Sequence, residues 1–329
     1  MKTEISTDRA AAVELLRKGE IVALPTETVY GLAAEALNAI AVARIFEAKE
    51  RPRFDPLIVH LPEYEWLERI ADVSTHKRKL LSALASSFWP GPLTIVLPKR
   101  PLVPDIVTAG LETVAVRISG HPVFAEVIQD VGQPLAAPSA NRFGRVSPTT
   151  ARHVLDELGG RIPFILDAGP TQHGIESTIV AVAGDKIRIL RRGPITAEQL
   201  ADLAQVEIAP PSREISAPGQ LASHYAPKTP LKLVEHAKSF VTKQNRRVAL
   251  LAWNPVDKDS RFVAVRNLSE AQDLCEAAAN LFRFLRELDA LDVDLIVAER
   301  VPDRGIGAAI LDRLQRASHR RSGAPGRLE

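Results

Sequence analysis

A single cysteine, Cys275, occurs in the 329 residues, which excludes an intrachain disulfide framework and fits a reducing compartment. No apolar run approaches the roughly 18 residues that a membrane-crossing helix needs. Residues 1–8 are polar and lack the apolar core of a secretion signal. A cytoplasmic protein without membrane contact is therefore expected. No glycine is followed by lysine, so a Walker-type phosphate loop is excluded. Gly305-Ile306-Gly307 is the nearest approach to a dinucleotide fingerprint, but it lacks the third glycine and reads as a loop entering the last helix. No histidine and cysteine spacing suits zinc, and there is no G-x-S-x-G elbow, so no metal ligand set and no hydrolase nucleophile are expected. Aromatic residues make up 5%, too few to suggest a base-stacking surface. The formal net charge is only +2, so any anion site must be a local cluster.

What is present is α/β patterning. Hydrophobic residues reach 46% against 25% charged, enough apolar material for a sizeable core in a chain of this length. Ser6 or Thr7 is placed to cap a helix running to about Lys18, with Gly19 as its stop. Strands are expected at 21–24, 57–61, 93–97, 113–118, 164–166, 177–182 and 187–190. Asn38 is placed to cap a second helix, and further helices are expected near 76–88, 122–130 and 149–158. Thr196 and Gln199 fit a capping box. Some neighbouring strands are joined too tightly for helical crossovers, which predicts a twisted mixed sheet with flanking helices. From 206 to 230 prolines crowd together and the pattern reads as an extended connector. A βα series then restarts over 231–329 and predicts a smaller, Rossmann-like domain, with strands at 231–234, 247–252, 262–265 and 293–298 and helices at 269–289 and 306–317. The Arg-, Gly- and Pro-rich tail from Ser318 is expected to fray. The predicted organisation is thus 1–205, a connector at 206–230, and 231–329.

Four segments place polar groups where strands end, the region where open α/β sheets bind ligands. The first, residues 25–32, sets Thr26, Glu27, Thr28 and Tyr30 after a buried strand. In the second, Lys49 and Arg51 flank one residue past the second helix; in an extended segment both would point to one side and face one polyanion. Pro56 to His60 follows. In the third, Ser139 and Asn141 alternate at the end of an apolar strand, and Ser147-Pro148-Thr149 resembles a helix start. The fourth runs from Gly174 through Glu176, Ser177 and Thr178. It is followed by Lys186, Arg188, Arg191 and Arg192 with no acid among them. Each segment also has a purely structural reading as caps, helix-end cations or a solvated strand edge.

Together the segments resemble a known pattern. Residues 25–32, Lys49-x-Arg51 with Pro56-Leu57-Ile58-Val59-His60, Val114-Ala115-Val116-Arg117, Pro138-Ser139-Ala140-Asn141 and Glu176-Ser177-Thr178-Ile179 follow the motif order of the YrdC/TsaC family, over about residues 5–205. Residues 217–227 resemble the linker of that family's long, two-domain form, and residues 307–314 its C-terminal domain. The resemblance implies an L-threonylcarbamoyladenylate synthase. Such an enzyme takes L-threonine, bicarbonate or CO2 and ATP with Mg2+, and passes its product to tRNA threonylcarbamoyl transfer machinery. It implies that Lys49, Arg51, Ser139 and Asn141 hold phosphates and the reacting carbamate. Arg51, Asp55, Thr113, Ser139, Ser147 and Arg191 fall at nucleotide positions, with Tyr225 as a lid over the nucleotide. Thr28, His60, Arg117, Ala137 and Ser177 fall at threonine positions. Two rivals stand beside this reading. One is a double-stranded RNA-binding module without catalysis, to which weak RNA binding by an enzyme would be the milder counterpart. The other is a carbamoyl-transfer module using carbamoyl phosphate, whose usual zinc-finger cysteines are missing here.

Overall fold

The computed structural model describes residues 1–210, 217–218, 225–242, 246–256 and 259–319. The predicted frayed end, 320–329, and residues 211–216 and 219–224 of the connector lie outside the described residues. Two compact units divide the chain. The first comprises 1–143 and 147–220, and the second comprises 144–146 and 221–329.

The first unit opens with β1 (Glu4–Ser6) and α1 (Arg9–Arg17). Asp8, rather than Ser6 or Thr7, caps α1, its side chain accepting from the Ala11 N–H. There follow β2 (Val22–Leu24), β3 (Gly31–Glu35), α2 (Ala39–Lys49) and β4 (Ile58–His60). Asn38 caps α2 as its position predicts. Next come α3 (Leu67–Ile70), α4 (Thr75–Phe88), β5 (Leu93–Pro98), α5 (Asp105–Thr108), β6 (Thr113–Arg117), α6 (Pro122–Val131), β7 (Leu135–Ala136) and α7 (Ala151–Leu158). The unit closes with β8 (Phe164–Leu166), β9 (Thr178–Ala183), β10 (Lys186–Arg191), α8 (Ala197–Ala201) and β11 (Val206–Ile208). Thr196 and Gln199 form the predicted capping box of α8. The strand at 206–208 lies inside the stretch expected to be pure connector, because its backbone pairs in parallel with β10.

Eleven strands form one mixed sheet in the order β1-β8-β2-β3-β7-β4-β6-β5-β9-β10-β11. Successive strand residues face opposite sides, so each strand feeds two different layers. One face packs into the main core, where Leu32, Val59, Val116, Ile95 and Val180 meet Ile45 and Phe46 of α2, Leu81 and Leu84 of α4, and Val154 of α7. On the other face, α1 and α6 cover β2, β3 and β7 through Leu16, Phe124, Ile128, Leu135 and Ala137. Further along that face Ile58, Val96, Ala115 and Ile179 form a small apolar cluster with Ala217, none of whose residues is helical. This half of the face carries the polar strand ends described below.

The second unit holds β12 (Leu231–Val234), β13 (Val248–Ala252), β14 (Ala264–Asn267), α9 (Leu274–Asp289), β15 (Leu295–Glu299) and α10 (Gly307–Ser318). Its four strands are all parallel, in the order β12-β15-β13-β14. Parallel strands need crossovers; α9 supplies the one between β14 and β15, starting at Leu274 rather than at the expected 269, and α10 follows the last strand. Val248, Leu250 and Ala252 of β13 pack under Ala237, Phe240 and Phe262, while α9 and α10 touch each other. Gly307 begins α10, as the loop reading of its Gly-x-Gly predicts. A Cβ there would meet the Pro302 carbonyl oxygen at 2.1 Å, so the close approach requires glycine. No helix among the described residues is long and apolar enough to cross a membrane.

Candidate active site

The site is built where β4, β6, β5 and β9 end. Parallel pairing sets Ile58 beside Ala115 and His60 beside Arg117. Antiparallel pairing sets Val96 beside Ala115, and β9 pairs Thr94 with Ile179. The period of two then places His60, Arg117 and Thr94 on the face of the small apolar cluster, one step beyond it. Thr113 stands on the same face at the other end of β6, about 13 Å from Arg117 at ~3.3 Å per residue.

Arg117 is buried, and three groups hold it. Its Nε donates to the Gly91 carbonyl at 3.1 Å and its Nη1 to the Thr28 hydroxyl at 3.1 Å. Its Nη2 lies 2.6 Å from the Glu27 carboxylate but lacks an in-line acceptor. Glu27 also accepts from the Ser119 hydroxyl at 2.5 Å and the Gly120 N–H at 3.0 Å. Burial opposes its ionisation. The Arg117 charge and these hydrogen bonds outweigh burial and hold the carboxyl at about 2. Thr28 is fixed in turn by Thr26, 2.8 Å away. His60 packs on Phe124 with ring centroids 4.7 Å apart, and its Nδ1 has no partner. Burial first, and then the Arg117 charge, push its pKa down to about 3, so the ring is neutral near pH 7. Ala137 ties β7 to β4 through its N–H to the Ile58 carbonyl.

The fourth segment joins the same surface. The Ser177 and Thr94 hydroxyls are 2.8 Å apart. Arg191 donates to the Ser177 carbonyl through Nε and Nη2 and to its hydroxyl through Nη2. The Arg191 charge also acts on Asp55, whose carboxyl is raised by burial against the pull of Arg51, Lys49 and Arg191. Asp55 is paired with Arg51 at 2.9 Å. Arg51 further donates to the Asp55 and Pro56 carbonyls at 3.1 and 2.8 Å. Ser147 donates to Glu176, and both are buried.

Lys49 and Arg51 converge, but not by strand alternation. Lys49 is the last residue of α2, and Glu50 is left-handed at φ 52° rather than extended. The turn buries Lys49, whose ammonium donates to the Ser139 and Asn141 carbonyls. Burial, and then the neighbouring Arg51 charge, push its pKa well below the ordinary value. Asn141 is buried and donates to the Arg142 carbonyl. Lys49, Arg51, Ser139 and Asn141 therefore share one locality, and Asp55, Arg191 and Ser177 link it to the Arg117 end. Tyr225 belongs to the second unit, buried against Phe282 at 5.5 Å with the Arg313 guanidinium 5.0 Å from its ring.

Several contributors escaped the sequence reading. Thr94 and Ser119 carry no motif signal, since their partners are 83 and 92 residues away. Gly193 is another. A Cβ there would meet the Thr178 nitrogen at 2.4 Å and the Glu176 oxygen at 2.6 Å, so glycine lets that loop press on the backbone around Ser177.

Residues 14–193 match a family profile described as "Telomere recombination", the Sua5/YciO/YrdC family, and residues 195–319 match one described as "Threonylcarbamoyl-AMP synthase, C-terminal domain". A threonylcarbamoyl-AMP synthase from Bacillus subtilis is 41% identical, covering 96% of this chain and 95% of that protein. One from Pyrococcus abyssi is 39% identical, covering 93% of each. A crystal structure of P. abyssi Sua5 complexed with L-threonine superposes with a TM-score of 0.84 at 36% identity, covering 96% of this chain and 97% of that one. None of these matches supports a stand-alone RNA-binding module. With both profiles matched in order and relatives aligned over nearly their whole length, the chain belongs to the Sua5/YciO/YrdC family, in its two-domain threonylcarbamoyl-AMP synthase form.

Proposed function

We propose that this protein is a threonylcarbamoyl-AMP synthase, joining L-threonine, bicarbonate or CO2 and ATP into threonylcarbamoyl-AMP with release of pyrophosphate. The observation that carries this reading is the continuity of the site. A cationic locality at Lys49, Arg51 and Arg191 runs through Ser177 and Thr94 to the pocket of Arg117 and the neutral His60. One end suits a triphosphate and the other an amino acid.

The threonine amine and CO2 form a carbamate, whose oxygen attacks the α-phosphorus, and pyrophosphate leaves. Negative charge grows on the phosphate oxygens, so fixed cations and positioning supply the catalysis and no protein nucleophile is required. Arg51, Arg191, Ser139, Asn141, Ser147 and Thr113 hold the nucleotide. Thr28, His60, Arg117, Ala137 and Ser177 hold threonine, and Lys49 fixes the Ser139–Asn141 backbone around the reacting groups. Magnesium would neutralise phosphate charge. Its ligands would be supplied mainly by the nucleotide and water, as hard oxygen-liking magnesium usually takes few protein ligands. Asp55, buried beside the cations, is the protein carboxylate suited to join it. The product is a labile mixed anhydride. A transferase acting on tRNA must therefore take it up promptly, and the reaction belongs with the cytoplasmic pools of ATP and threonine.

The test is pyrophosphate release from ATP, with threonine and bicarbonate omitted in turn. Release that needs both supports the reading. Release that needs neither, or that requires carbamoyl phosphate, overturns it.

A further inference from the structure

The first motif contains a buried acid with no role in the reaction as described. Glu27 is 6% exposed, and no phosphate-binding candidate contacts it. Its carboxylate instead gathers the end of β6: the Arg117 guanidinium, the Ser119 hydroxyl and the Gly120 N–H. Its own backbone carbonyl accepts from the His173 N–H at 2.9 Å. Arg117 is thus oriented from three directions by Gly91, Thr28 and Glu27. Two buried atoms at this strand end still lack a hydrogen-bond acceptor or donor in line, Arg117 Nη2 and His60 Nδ1. They sit on residues paired across β4 and β6. A ligand carboxylate beside a second polar group matches that pair.

Charge gives Glu27 a second consequence. The pocket holds one cation and one anion beside a neutral imidazole, so its net charge is near zero. The Lys49, Arg51 and Arg191 locality sets three basic side chains against Asp55, with Glu157 acting on Lys49 from beside it, so basic groups outnumber acids there. A triphosphate has reason to enter only the latter. Without Glu27 the buried Arg117 would carry an uncancelled charge and attract phosphate oxygens.

Building on the function proposed above, we propose that Glu27 is a positioning residue that sets selectivity within the site. It aims Arg117 at the amino-acid carboxylate, and by cancelling the Arg117 charge it keeps phosphate groups out of the amino-acid pocket.

The test compares full-length wild type with Glu27→Gln, which keeps the shape and removes the charge. KM for threonine should rise about tenfold while KM for ATP stays within about twofold. Inorganic phosphate should become an inhibitor competitive with threonine in the variant and not in the wild type. The double variant Glu27→Gln with Arg117→Gln should lose the phosphate inhibition. Should Glu27→Gln fail to fold, Ser119→Ala removes one donor to the carboxylate and leaves both charges. It should raise KM for threonine a few fold without moving KM for ATP. Equal changes in both KM values, or a folded variant with unchanged threonine KM and no phosphate inhibition, would overturn the role of Glu27. A wild type without threonine-dependent turnover would instead overturn the function on which this inference rests.

Discussion

Arg191 donates to both the carbonyl and the hydroxyl of Ser177, at 3.0 Å each through one nitrogen. In the function proposed above the first residue holds the nucleotide and the second holds threonine, so the two substrate ends would share a bonded pair. The planar guanidinium reaches the carbonyl through Nε as well, at 3.1 Å. A lysine ammonium cannot reproduce this fork. Arg191→Lys should therefore raise KM for both ATP and threonine, with kcat/KM falling about 100-fold, a loss of ~2.7 kcal/mol in transition-state stabilisation. Steady-state kinetics with each substrate varied checks this. A change confined to ATP would mean that the Ser177 contact is incidental.

In the proposed function Lys49 serves both stability and chemistry. It is buried, and its ammonium serves two backbone carbonyls, that of Asn141 in a buried contact and that of Ser139 in a part-buried one. Lys49→Met keeps the apolar stem and removes the donor. The buried Asn141 carbonyl then loses its partner, at a cost of about 1–3 kcal/mol if nothing relaxes, and the part-buried Ser139 carbonyl adds less. The variant should both melt earlier and lose pyrophosphate release. Calorimetry beside the activity assay checks it. Full melting stability with lost activity would assign Lys49 to chemistry alone.

Acid should weaken the fold in two stages. His60 has its folded pKa at about 3, below its ordinary 6.5, because burial and Arg117 disfavour the cation. The unfolded chain therefore binds the extra proton first, and stability falls as pH drops from about 6.5 towards 3. Burial also lowers the pKa values of His121 and His173, which adds to the same slope. Glu27 has its folded pKa near 2, below its ordinary 4.5, and its contribution is lost as pH falls from about 4.5 towards 2. Urea midpoints measured from pH 7.5 down to 4 should fall below about pH 6.5. His60→Asn should make that slope shallower by up to ~1.4 kcal/mol per pH unit, the linkage of one proton. An unchanged slope would show that His60 is not buried neutral.

Local chemistry was legible where it acts over a few residues. Asn38, and Thr196 with Gln199, announce their caps because a cap needs only its own first turn. The edge strands at Glu4–Ser6 and Val206–Ile208 were not legible. Three residues hold too little periodicity, and their pairing with β8 and β10 is fixed by distant chain. The strand Gly31–Glu35 holds a glycine, two alanines and a glutamate around Leu32, residues of mostly weak strand preference, and burial between layers overrides that preference. Lys49 and Arg51 were marked as a pair for the wrong reason, since the left-handed Glu50 rather than an extended segment turns both inward. Glu27 could be seen in its motif but not understood there, because Arg117, Ser119 and Gly120 are about 90 residues away.

Tyr225 permits a sharper test of its expected lid role. Its ring lies nearly parallel to that of Phe282, at 26°, with Arg313 at the ring and the side chain almost fully buried. Its backbone is left-handed at φ 62°, which a residue with a bulky side chain adopts only when packing enforces it. This is the setting of an anchor in the second unit. Tyr225→Ala removes a buried aromatic and should cost about 3 kcal/mol, by the range for large-to-small core changes. Tyr225→Phe keeps both ring contacts and should melt close to wild type. A residue acting only as a lid would give the opposite pattern, with melting unchanged in Tyr225→Ala and only nucleotide turnover affected. Calorimetry on the two variants, with pyrophosphate release measured alongside, separates the roles. Loss of stability in the alanine variant, restored by phenylalanine, would mean that the connector is held by its aromatic plug before any covering motion can matter.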